Sequence, residues 1–435
     1  MAIDGWTRKS LGSFTQFIKG ITYASEDYCK EDEGAIFLTI KCVSKAGGFK
    51  LEGIKYYRGI IHENEKLKEG DILISNTDLT RDGDIVGCPI MVPFLGANEV
   101  TMSMDLSKLV IDSFQVDSKF LYYKLMTDKV RRFMQDHASG STVLHLQTKA
   151  VPTLELLIPD KKEEQEKIAE ILSCIDRAIA QTEAIIAKQQ RIKTGLMQEL
   201  LTKGIDENGN IRSEATHEFK DSAIGRIPAQ WNVIKLRDTG TWLSGGTPSK
   251  SEETYWGSFM PWVCSKDMKV FDLKNTLEMI TQKGVLSGSK VVPKDSVLIV
   301  VRGMILAHTF PVGYLTRDMA FNQDIKAIIP NENIYGRYLA YWFSTNSSQL
   351  LKLTTTATHG TKRLETNELL EFALCLPSKM EQKKIIYLLD KSQHDIEITK
   401  EYLQKLDSQK RGLMQDLLTG KVRVTNLLNQ KAAAN

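Results

Sequence analysis

At 435 residues the chain has room for two to four domains of roughly 100 to 200 residues each, and 42% apolar with 26% charged residues is an ordinary globular composition. No apolar run approaches the roughly 18 residues of a membrane span, and MAIDGWTRKS lacks the apolar stretch of a secretory signal. The formal charge of +3, from 57 basic and 54 acidic residues, leaves nucleic-acid binding open, while six scattered cysteines without a CxxC argue against a zinc ribbon or a disulfide framework and for reduced thiols in a cytoplasmic protein.

In chain order, AIFLTIKCVS, GDILISN and SKLVI read as short strands. Asp117 or Ser118 is placed to cap one amphipathic helix, FLYYKLMTDKVRRFMQ. From Glu163 a long helix is expected, with Ile168, Leu172, Ile175, Ile179, Thr182, Ile186, Gln189, Lys193, Leu196 and Leu200 spaced alternately by four and three residues. A mostly apolar 3.5-residue period without proline describes a coiled-coil stripe. Residues 205–227 are polar and aperiodic and read as a linker. Strands FMPWVCSK, SVLIVV and IKAIIP follow, then a helix over IYGRYLAYWF capped by Asn333, then a second long helix and a frayed end, KAAAN.

The second long helix repeats the first. At an offset of 217, Ile385, Leu389, Ser392, Ile396, Thr399, Leu403, Leu406, Lys410, Leu413 and Leu417 stand opposite the stripe above, and KTGLMQELLTKG at Lys193 returns as KRGLMQDLLTGK at Lys410. Upstream, FLYYKL matches YLAYWF at 218, GDILIS matches DSVLIV at 225, and Trp6 matches Trp231 at 225. The chain is one unit written twice, a mixed α and β domain running into a long helix. Two such helices joined by a short linker pack antiparallel. About 36 residues at ~1.5 Å each would then hold the two domains roughly 50 Å apart, a two-headed object suited to successive turns of one face of duplex DNA.

The ordered series IPAQW, LSGGTPSKSEETYWGSFMPWV, HGTKRL, LCLPSKMEQKKI and KRGLMQDLLTGKVRV resembles the specificity subunit of type I restriction–modification enzymes. The resemblance implies an α+β fold with an internal pseudo-twofold repeat, and an antiparallel two-helix coiled coil between two target-recognition domains. On this sequence they are residues 1–158 and 228–376, with spacer helices at 159–204 and 377–422, the linker between and a tail at 423–435. It further implies two methyltransferase subunits, and with them two motor-nuclease subunits, as partners at an asymmetric split DNA site. S-adenosylmethionine, ATP and magnesium would belong to those partners. The sequence agrees by omission, with no phosphate loop, methyl-donor motif or HExxH. PDKKEEQEK resembles a nuclease signature, but it sits at a helix start with its charges expected on the wet face. The rival reading is a non-catalytic scaffold whose two heads bind other ligands.

Phosphate and base contacts call for cations, hydroxyls, amides and free backbone N–H groups. The paired loops Ser139, Gly140, Ser141, Thr142 and His359, Gly360, Thr361, Lys362, Arg363 supply them, as does Arg302 at a strand end. Asn76, Thr80 and Arg81 either read bases or form a solvated turn. Gly245, Gly246, Thr247 and Ser249 either cradle a phosphate or make a structural turn. In the twin phrase, Gly195, Leu196, Met197 and Leu200, with Gly412, Leu413, Met414 and Leu417, serve either close helix packing or docking of a methyltransferase subunit. A helical glycine costs roughly 1 kcal/mol relative to alanine and calls for such a reason.

Overall fold

The apolar stretches read as strands fall into two sheets in each copy. The computed structural model describes residues 3–31, 33–45, 47–80, 82–97, 99–356 and 360–432, and the chain divides into two compact units, Met1–Glu183 with Glu401–Asn435, and Ala184–Lys400. In the first unit the fully buried strand Ile72–Ser75 runs antiparallel between Leu106–Ile111 and Pro89–Met91, with Thr15–Lys19 beyond. A second sheet places Ala35–Leu38 between Lys55–Tyr57 and, in parallel, Val100–Met102. In the second unit the fully buried Val297–Val300 lies between Ile325–Pro330 and Val312–Leu315, flanked by Gly240–Ser244 and Asp272–Leu273. Another sheet places Trp256–Val263 between Glu278–Ile280 and Met319–Phe321. The repeat holds at the level of register, since Ile72 faces Leu109 and Ser75 faces Leu106 as Val297 faces Ile328 and Val300 faces Ile325.

The amphipathic helix of each copy packs on its sheet, but not quite as expected. In the first copy it breaks at Met126 and Thr127 into Ser118–Leu125 and Asp128–Asp136, and Asp117 caps it by accepting the Phe120 N–H at 2.8 Å. In the second copy Asn333 is not the cap. The helix starts at Gly336, after Tyr335, whose N–H is taken by the Gln382 carboxamide at 3.0 Å, while the Asn333 carbonyl accepts from that same carboxamide. Most tryptophans of this unit are core residues, with Trp231, Trp262 and Trp342 buried.

Both long helices form, at Lys162–Thr202 and Lys379–Leu417. Every position of the four-and-three stripe is buried or half-buried, whereas Cys174, Glu183, Ile398 and Tyr402 stand in water. In the first unit, ascending the first helix from Glu164 to Asp176 meets the second in descending order, Arg423 on Glu164 at 2.6 and 2.7 Å, then Lys410 on Asp176 at 2.7 Å. In the second unit Lys193 donates to Gln393 at 2.6 Å and the Ile205 N–H reaches Glu381 at 3.0 Å. Within each unit, then, the helix segments run antiparallel.

The repeated Glu–Gln pair at each helix start explains the two EQ phrases. Gln165 is buried and donates to the carbonyls of Pro159 and Gln115 while accepting the Asp117 N–H. Gln382 does the same with Pro377, Asn333 and Tyr335. Preceding each glutamine, Glu164 or Glu381 is buried and ion-paired, the first to Arg423 and the second to Arg212 and the Trp231 indole N–H. The wet-face placement expected for PDKKEEQEK therefore fails at Glu164. Each arginine lies downstream of a glycine in the left-handed region, Gly204 (φ 66°) or Gly420 (φ 74°), which turns the chain at the end of the other helix. A Cβ at Gly204 would collide with Glu381 and Trp231, and one at Gly420 would press on Ile3.

The polar stretch read as a linker is ordered structure. Ile205 bridges Ile211, Arg212 is buried, and Phe219–Ser222 pairs with Gly225–Pro228 as a hairpin. Buried ion pairing, a cue invisible to composition, holds it. The helix Thr425–Ala432 takes in the first two residues of the expected frayed end KAAAN, and the last three residues lie outside the described segments.

Candidate nucleic-acid interface

In the second unit, four separate stretches meet at one sheet edge. The chain leaves the buried strand Val297–Val300 with the N–H groups of Val301 and Arg302 donating to the Asp324 carbonyl at 2.8 and 3.3 Å. Arg302 pairs with Arg363 in an antiparallel bridge, and the Gly303 N–H donates to the Lys362 carbonyl at 3.0 Å. Nearby, the Thr247 hydroxyl contacts the Gln323 side chain. Arg302, Arg363, Thr247, Ser249 and Gly360 are exposed, and Thr361 and Lys362 half-buried. Burial raises the Asp324 carboxyl above its ordinary range, with Arg302 opposing it. The edge thus presents two guanidiniums and an ammonium beside one half-buried acid. His359 lies outside the described residues.

Gly245 and Gly246 do not form a free phosphate cradle. The Gly246 N–H is spent on the Phe321 carbonyl at 3.0 Å, and a Cβ at either glycine would strike backbone oxygens, those of Phe321 and Asn322 or that of Gly288. The glycines let one strand approach another. Gly20 has this role in the first unit, where a Cβ would meet the Ser103 and Met102 carbonyls, although the rest of the GGTPS phrase is absent there.

The first unit builds the same edge with other side chains. The Asn76 N–H donates to the Asp105 carbonyl and its own carbonyl accepts the Leu146 N–H, as Val301 does with Asp324 and Leu364. The next residue, Thr77, faces His145 where Arg302 faces Arg363. Ser139, also opposite His145, and Gly140, Ser141 and Thr142 are exposed beside it. Asn76 is withdrawn from base reading: it is buried, donating to the Met104 carbonyl and accepting from Ser107. Thr80 shapes a turn, its hydroxyl accepting the Asp84 N–H while its N–H donates to Asp78. Burial works to raise the Asp78 carboxyl, but N–H groups of Thr80, Ile85 and Val86 hold it below the usual range, fixing the loop. Arg81 lies outside the described residues. Sequence reasoning missed Thr77 and His145, although the offset linking GSTVLHL to HGTKRL sets His145 opposite Arg363.

The twin phrase divides into buried and open parts. Leu200 and Leu417 are buried in the cores of their own units and Leu196, Met197, Leu413 and Met414 pack against them, so the two buried leucines are not docking residues. Gly195 and Gly412 are exposed, and a Cβ on either would meet nothing within 4 Å. Close helix approach is therefore not their role. The lysines opening the phrases reach the helix of the opposite repeat, Lys410 at Asp176, which also accepts from the Tyr123 hydroxyl at 2.7 Å, and Lys193 at Gln393 and over the Tyr341 ring. No group of three or more His, Cys, Asp and Glu suited to a metal occurs among the described residues, and none of their helices is long and apolar enough to cross a membrane.

Two mixed α and β domains, each followed by a long helix and each bearing the same polar edge, define an α+β protein with an internally repeated recognition module. Residues 3–190 and 228–408 both match the type I restriction modification DNA specificity domain, and the chain belongs to the family of type I specificity subunits, which are non-catalytic. The MjaVIII specificity subunit of Methanocaldococcus jannaschii is 25% identical over 98% of this chain and 94% of its own length. The EcoR124I/EcoR124II specificity subunit of Escherichia coli is 30% identical over 44% of this chain, and the match spans 48% of that subunit. In fold, the chain is similar to the type I S subunit of M. genitalium, with TM-score 0.54 and 17% identity over 95% of this chain and 96% of that one. A chain from a structure on complex assembly and conformational transition of the type I system gives TM-score 0.58 at 15% identity, over 96% and 98%.

Proposed function

We propose that the two domains read the two unlike halves of a split, asymmetric DNA sequence, and that the chain directs methyltransferase subunits, and with them motor-nuclease subunits, to that sequence. The observation that carries this reading is the common edge built with different chemistry, Thr77 facing His145 in one domain and Arg302 facing Arg363 in the other. Arginines offer a bidentate fork to guanine O6 and N7, whereas a hydroxyl and an imidazole offer only single hydrogen bonds, so one scaffold displays two specificities. The exposed residues Ser139 to Thr142, Thr247 and Ser249, with the half-buried Thr361 and Lys362, serve as phosphate contacts around these pairs. S-adenosylmethionine, ATP and magnesium act in the partner subunits. Gly195 and Gly412, open helical glycines without an internal reason, mark one docking position per repeat for a methyltransferase subunit.

The test maps methylated adenines in a host genome with and without this gene beside its methyltransferase gene. A new bipartite motif is expected, and replacing Arg302 and Arg363 by alanine relaxes one half of it only. A complex that assembles yet adds no split motif overturns the reading.

A further inference from the structure

Each domain holds one large apolar side chain out in water at the same place on its polar edge. Leu79 is 67% exposed and Met304 62% exposed. They are equivalent by register, because each stands two residues beyond the edge pair, Thr77 with His145 or Arg302 with Arg363. Single exposed apolar residues are common and by themselves need no reason. Here the position recurs while its neighbours change, Thr77 to Arg302, Asp78 to Gly303 and His145 to Arg363. Both backbones are also held. Asp78, just before Leu79, is buried and accepts three loop N–H groups. Gly303, just before Met304, donates to Lys362, and the turn Met304–Ala307 buries Leu306 while leaving Met304 outside.

We infer that Leu79 and Met304 are paired specificity residues, each making an apolar contact with the C5 position of a pyrimidine in the major groove of its own half-site. The inference rests on the DNA-reading function proposed above. Leucine and methionine offer no hydrogen-bond donor, so what they add beside the polar side chains of each edge is preference for a methyl group. That group lies in the same groove as the purine O6 and N7 edges which Arg302 and Arg363 suit.

The test uses the full chain in complex with its methyltransferase subunit and duplexes carrying the mapped split sequence. Each thymine is replaced in turn by deoxyuridine and each cytosine by 5-methyldeoxycytidine. In the wild type, one pyrimidine per half-site is expected to change affinity by about fourfold on loss or gain of its methyl, the value of one buried carbon. Leu79→Ala erases that dependence in the first half-site and leaves the second, and Met304→Ala does the reverse, with both variants melting like the wild type because the side chains are exposed. A wild type indifferent to every C5 substitution, or a dependence that survives both alanines, overturns the inference. So does a rise in 2-aminopurine fluorescence abolished by Leu79→Ala without C5 dependence, which identifies an unstacking wedge instead. A wild-type complex blind to DNA sequence overturns the functional reading itself.

Discussion

The two units agree where they are buried and differ where they face water. At the helix starts, Glu164 and Glu381, Gln165 and Gln382, and Arg423 and Arg212 occupy matching places with matching bonds. At the polar edge the backbone bonds are again shared, yet the side chains are a threonine and a histidine in one unit and two arginines in the other. Buried polar groups must find partners and so tolerate little change, whereas an exposed side chain on a fixed ladder is free to vary. The repeat preserves a frame and varies what the frame displays.

Within the frame, one difference lies at the paired tryptophans. Trp231 donates its indole N–H to Glu381 at 3.1 Å, whereas the Trp6 N–H is buried without a partner and the Lys124 ammonium lies over its ring at 5.6 Å. The sharpest way to break the match is Glu381→Ala, which strands buried Arg212 and removes the Trp231 acceptor. A loss of about 3 to 5 kcal/mol is expected by chemical denaturation. Glu164→Ala should lose less, about 1 to 3 kcal/mol, because the Arg423 side chain is 29% exposed and regains water.

Lys124 gives the next largest effect, in the first unit alone. Burial, assisted by Lys129, lowers its pKa to about 8. A lysine with a lowered folded pKa is charged in both states below pH 8, and between that value and 10.5 the unfolded chain binds more protons, so stability rises with pH across this window. A gain of up to about 3 kcal/mol is expected in denaturation at stepped pH. Above about pH 10 tyrosines such as Tyr123, raised mainly by burial, reverse the trend. Lys124→Met should abolish the rise.

At the edge, Arg302→Ala or Arg363→Ala should weaken binding of the second half-site by about 1 to 3 kcal/mol in a titration with the mapped duplex, and leave the first half-site unchanged. The smallest effect concerns the open glycines. Gly195→Ala and Gly412→Ala should each stabilise the free chain by about 0.5 to 1 kcal/mol, since no atom obstructs a Cβ. If a methyltransferase subunit rests there, the same changes weaken its association in a pull-down.

Repeats and periods were legible because each is a property of neighbouring letters. The stripe from Ile168 to Leu200, the strands at Ile72 and Val297 and the Asp117 cap follow from spacing and side-chain type. What escaped depends on distant partners. Nothing local in IDENGNIRSEA says that Arg212 meets Glu381, and nothing local in LISNTD says that Asn76 turns inward to Ser107 while Thr77 holds the edge. GGTPS invited a phosphate reading because glycine leaves backbone open, and the openness is filled by another strand.

The glutamate at the start of each spacer helix is held by an arginine that follows the end of the other one. A boundary drawn after Thr202 keeps Arg212 and Glu381 in one fragment, whereas a cut anywhere between Arg212 and Glu381 parts them. New specificities assembled by exchanging one recognition domain should therefore carry their junctions in at about residue 204 and out after Glu381, keeping Arg212, Trp231 and Glu381 from a single parent. Shuffling is thus constrained by three buried side chains, while the reading surface itself remains free to change.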